Sequence, residues 1–179
     1  MIAGVLGAAF TWTARRSLAP RFTRTTLLAL SLMSACTSES KMKEAQQVEA
    51  MAVQYTAAWC SQIPARVAAH YTETGSLKIN GGSPAVGRAA ITASAQAFMS
   101  ALPDMVVTMD SVRVNGHSAV YHWTLTGTNT GAGGTGKRVH ISGFEEWTLD
   151  ADGRIAQSLG HFDEVEYARQ IREGATPAR

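Results

Sequence analysis

Four ionisable side chains fall where alternating strand patterns bring them to one apolar space. Along Val139, Ile141, Gly143, Glu145, Trp147 and Leu149, a single carboxylate interrupts an apolar face. Ile155, Gln157, Leu159, His161 and Asp163 share a face of the last strand, and Ala119, Tyr121, Trp123 and Leu125 share one of an earlier strand. If these faces line the same interior, Glu145, His161, Asp163 and Tyr121 surround it. Burial there raises a carboxylate pKa and suits it to proton transfer near neutral pH, as general acid/base catalysis requires.

Each residue also has a purely architectural reading. Asp163 stands three residues before Glu166, a capping-box pattern at the start of a helix. Glu145 fits an ion pair with Arg113 or Arg88, and His161 fits a hydrogen-bonded core histidine. Tyr121 and Trp123 suit a core as well as a binding wall. His122 and His140 point to the opposite, exposed face, and His70 closes a short helix. No two histidines stand at metal-ligand spacing on a helix, so no metal site is expected. Gly131 to Lys137 fits the first seven places of a phosphate loop. Its eighth place is Arg138 rather than Ser or Thr, and a strand follows rather than a helix, so it reads as a hairpin loop.

The elements that must position these groups change period midway. Val48, Met51, Ala52, Tyr55, Ala58 and Trp59 recur at helical spacing, and Pro64 suits the first turn of a short helix carrying Val67, Ala68 and Tyr71 inward. Leu77 to Ile79 reads as a short strand, Asn80 to Pro84 as a turn, and Gly87 to Leu102 as a helix. Residues 105–115, 117–130, 137–150 and 153–162 are β-branched and aromatic, separated by Asn115-Gly116, the Gly-rich stretch and Asp152-Gly153. These hairpin signals predict a four-stranded antiparallel meander after the helices, hence an α+β domain. A short helix after Asp163 ends it.

The 179-residue chain has a formal charge of +2, but the charge is unevenly placed. Residues 1–36 hold Arg15, Arg16, Arg21 and Arg24 and no acid, leaving 12 basic residues against all 14 acidic ones beyond them, a balance of −2. No basic stripe remains for nucleic acid. Arg21 and Arg24 precede the apolar run Leu27 to Met33, too short to span a bilayer, and small residues before Cys36. Leu32 to Cys36 resembles a lipoprotein lipobox, in which Cys36 would be the lipidated first residue of the mature chain. The expectation is an exported protein on the periplasmic face of the bacterial envelope, anchored to the outer membrane by lipid alone. Thr37, in place of Asp, suits that sorting. Residues 1–36 are the signal peptide, 37–43 a tether, 44–173 the domain and 174–179 a tail. Cys60 is then the lone remaining thiol, read as a small buried apolar residue.

Tyr55 to Trp59, Val86 to Ile91, Phe98 to Asp104, Gly143 to Trp147, Asp152 to Ile155 and Phe162 to Ile171 follow in an order that resembles the SnoaL-like polyketide cyclase family, within the nuclear-transport-factor-two-like superfamily. The resemblance covers about residues 44–172. It implies a cone-shaped, curved antiparallel sheet wrapped around N-terminal helices, with an apolar pocket to which we assign Tyr55, Trp59, Phe98, Trp123 and Trp147. It also implies cofactor-independent aldol cyclase or isomerase chemistry on a small carbonyl compound. Asp163 would move the proton, His161 or Glu145 would tune it, and Tyr121 would hydrogen-bond the enolate oxygen. Family cyclases commonly carry Glu-His-Trp where this chain has Gln157-Ser158-Leu159. That departure and the envelope address favour an alternative: a non-catalytic lipoprotein holding a small apolar ligand or a protein partner. The resemblance further implies a homodimer through the sheet.

Overall fold

A computed structural model describes residues 25–176, with side chains from residue 39 onward. Of the expected signal segment 1–36, residues 1–24 and the side chains of the rest, Cys36 among them, lie outside the described residues. Helix α1, Thr25–Cys60, runs through the stretch expected to be a tether. The sheet and its helices belong to the compact unit Ser38–Arg179. No helix among the described residues is long and apolar enough to cross a membrane.

Val48, Ala52, Tyr55, Ala58 and Trp59 give α1 one buried stripe at three- and four-residue spacing. Helix α2, Pro64–Ala68, starts on proline, whose fixed φ and missing N–H suit a first helical position. Strand β1 spans Tyr71–Ile79, so Tyr71 opens a strand rather than extending α2, and the strand is longer than expected. The two-residue β2, Ala85–Val86, pairs with it. Helix α3, Arg88–Ala101, buries Ile91, Ala95 and Met99 at four-residue steps, and its backbone enters through Gly87 at φ 80°, where a side chain would be strained.

The expected meander follows as β3 Val106–Asn115, β4 Ser118–Thr128, β5 Arg138–Leu149 and β6 Ile155–Phe162, each pair antiparallel. The open, curved sheet has the order β2-β1-β6-β5-β4-β3, and β1 lies parallel to β6. The helices pack on its inner face, giving the α+β architecture expected. Helix α4, Glu164–Glu173, closes the fold. Asp163 caps it by accepting the Glu166 N–H at 2.9 Å, and the Gln170 side chain bonds both backbone groups of His140 on β5.

Two bulges decide which side chains reach the interior. On β6, Thr148 pairs with Gln157 but Leu149 pairs with Ile155, so one residue of β6 is left over. The extra residue reverses the alternation. Ile155 faces inward, then Ser158, Gly160 and Phe162 do so, while Gln157, Leu159 and His161 turn outward. The expected common face from Ile155 to Asp163 therefore does not exist. A second bulge at Asp110 of β3 re-phases that strand without disturbing β4.

Candidate functional site

Direct register pairing places Tyr121 of β4 opposite Glu145 of β5, and Trp123 opposite Gly143, all on the inner face. Cross-strand partners of this kind lie close enough for their side chains to interact. Gly143 is required here, because a Cβ would meet the Trp123 indole at 2.5 Å. With the inward residues of β6 and the facing helices, they line a cavity of about 50 Å³. Trp59, Phe98, Tyr121, Trp123, Phe162 and Glu145 line it together with aliphatic side chains.

Glu145 is 6% exposed and has no cationic partner among the described residues. Arg88, considered for that role, instead holds Glu73 and the Tyr71 carbonyl, and Arg113 does not reach Glu145. Three neutral donors surround the carboxylate: Ser158 Oγ donates to Oε2 at 2.6 Å, Trp147 Nε1 at 2.8 Å and Tyr55 Oη at 3.1 Å. Oε1 receives only a longer Tyr55 contact at 3.3 Å. Burial pushes the Glu145 carboxyl above its ordinary pKa, while the three hydrogen bonds pull in the opposite direction. Burial is the larger effect.

Proton counting fixes the sense of the network. Tyr55 gives its proton to Glu145, so in its 3.0 Å bond with Tyr71 it accepts. Thr56 Oγ1 gives its single proton to the Ala52 carbonyl, so Tyr121 is the donor in their 2.7 Å bond. The Tyr121 proton is thus spent on Thr56 of α1. Burial raises the pKa of Tyr55, Tyr71 and Tyr121, keeping all three neutral. Among the described residues, Trp123 Nε1 is a buried donor without a partner.

The predicted site residues separate into three groups. Glu145, Tyr121, Trp59, Phe98 and Trp123 reach the cavity. Tyr55 and Trp147 stand behind Glu145 as its donors, with Trp147 stacked on Tyr121 at 4.8 Å. His161 and Asp163 do not join them. His161 stacks on Phe144 on the outer face, 3.4 Å from Glu146, and Asp163 is an exposed helix cap. Ser158, Tyr71 and Phe162 were not identified from sequence. The bulge concealed Ser158 and Phe162, and assignment of Tyr71 to a helix concealed its strand position. Half-buried His70, its pKa lowered by burial, sets its ring edge against Tyr55 at 5.6 Å. Cys60 Sγ bonds both backbone groups of Val107, tying α1 to β3.

A curved sheet closed by helices over an apolar cavity defines the nuclear-transport-factor-two-like and ketosteroid-isomerase-like class of fold. Within it, the chain belongs to the SnoaL-like domain family, whose model matches residues 52–158. Among solved structures it is similar to a putative SnoaL-like polyketide cyclase from Jannaschia sp. CCS1, at 18% identity and TM-score 0.58 over 70% of this chain and 94% of that one. It is also similar to a protein of ketosteroid isomerase-like fold from Catenulispora acidiphila, solved in complex with trimethylamine, at 13% identity and TM-score 0.61 over 68% and 91%. A phenazine biosynthesis-related protein from Pseudomonas aeruginosa matches at 16% identity and TM-score 0.62 over 79% and 94%. No curated protein matches in sequence.

Proposed function

We propose that this SnoaL-like domain holds a small, largely apolar molecule in the cavity, with Glu145 as its polar anchor. One observation carries the reading: a buried carboxylate, with no cation beside it among the described residues, lines an otherwise apolar cavity and keeps Oε1 short of donors. A cavity of this size admits a group of a few heavy atoms, and apolar lining with one placed polar group is the ordinary make-up of a ligand site.

The raised pKa of Glu145 and its open Oε1 favour a second reading, cofactor-independent proton transfer on a small carbonyl compound. In that reading Glu145 is the base. Asp163 lies outside the cavity, and Tyr121 has no proton left for an enolate. Ligand-observed NMR in deuterated water, with a panel of small ketones, alcohols and amines, addresses both readings. Saturation transfer to a panel member reports occupancy, and loss of its α-proton signal reports chemistry. Both should require Glu145. Occupancy without exchange would leave the binding reading alone.

We further propose that the chain is exported and lipid-anchored at Cys36, on the strength of the apolar run and lipobox-like sequence before it. Labelled palmitate should enter the wild-type protein and not Cys36→Ser. Equal labelling of both would refute the anchor.

A further inference from the structure

We propose that the preferred occupant carries an alkylated ammonium group, which sits among the aromatic side chains with Glu145 as counter-ion. The inference rests on the binding reading above and names its ligand class. Four rings form a connected belt in the cavity wall: Trp59 meets Phe98 edge-to-face at 6.2 Å, Phe98 meets Phe162 at 6.4 Å, and Phe162 meets Trp123 at 6.2 Å. Aromatic walls attract cations through the ring quadrupole, and the attraction grows when water is excluded.

The hydrogen-bond inventory points the same way. Glu145 offers an oxygen with one long contact, and Tyr121, a lining residue, has spent its proton on Thr56. Acceptors and π systems, with a negative charge and no basic side chain in the lining, complement a cation. A primary ammonium would need about three acceptors to replace its water. An alkylated one needs few or none, and its methyl groups suit the apolar wall. A bound cation also supplies the partner that the buried carboxylate lacks, and an unpaired buried charge is costly.

The test compares choline with its neutral isostere 3,3-dimethylbutan-1-ol, titrated into the full chain and followed by tryptophan fluorescence. Choline should bind at least about tenfold more tightly, and Glu145→Gln should remove that preference. Phe98→Leu, which retains an apolar wall and removes a ring, should weaken choline by about two- to fivefold more than it weakens the alcohol, the effect of about 0.5–1 kcal/mol of cation–π attraction. Circular dichroism checks that each variant is folded, and Phe98→Leu decides the matter should Glu145→Gln not fold. Equal or tighter binding of the alcohol overturns the ammonium assignment and leaves the small-molecule reading standing. No response to either probe, or to the ketone, alcohol and amine panel, overturns both.

Discussion

Glu145 illustrates how differently one residue reads in sequence and in three dimensions. Its place on an apolar face was legible from the alternation of β5, and its burial follows from that alternation. Its partners were not, because Tyr55, Trp147 and Ser158 come from three elements, and arginine is the default guess for a buried acid. Neutral donors stabilise the ionised form less than a cation would, so burial prevails and the pKa is raised from 4.5. The linkage sign follows. Between the unfolded and folded pKa values the native state binds more protons, so stability falls as pH rises through that window. Glu145 therefore contributes most below pH 4.5 and loses that contribution as pH rises past its folded pKa. Urea denaturation of wild type and Glu145→Gln across pH 4 to 9 should show the wild type losing stability relative to the variant as pH rises. A constant difference would mean that the carboxyl is not perturbed.

At the scale of elements, long periodic segments were legible and phase changes were not. The four meander strands lie within a few residues of the positions predicted, since hairpin signals and β-branched runs mark their ends locally. The β6 bulge has no comparable mark. It depends on how β6 pairs with both β1 and β5, and it alone moves His161 to the outer face. Asp163 follows from the same element. Its capping role was visible as a local pattern with Glu166, whereas a role in the cavity required an uninterrupted strand. Asp163→Ala should cost about 0.5–2 kcal/mol through loss of the α4 cap, measured by denaturation, and leave choline affinity unchanged. A large loss of affinity in a stably folded variant would return Asp163 to the site.

Across the unit Ser38–Arg179, the sheet supplies an inner face, the helices cover it, and α4 is fastened to β5 by Gln170. That arrangement buries Glu145 beside a mostly apolar cavity, which strengthens both the burial effect on its carboxyl and any attraction between Glu145 and a ligand. The family order of motifs was visible along the chain because the architecture repeats it, but fold alone does not choose among ligands. The choice rests on charge and protons: Tyr55, Ser158 and Trp147 give their protons to Glu145 Oε2 and Tyr121 gives its own to Thr56, leaving Glu145 Oε1 with one long contact. The most direct test of the central claim is saturation-transfer NMR with the small-molecule panel on wild type and Glu145→Gln. Transfer to at least one panel member from the wild type, lost in the folded variant, is the result this account predicts. Equal transfer from both proteins would show that ligands bind without the buried carboxylate, and would contradict it.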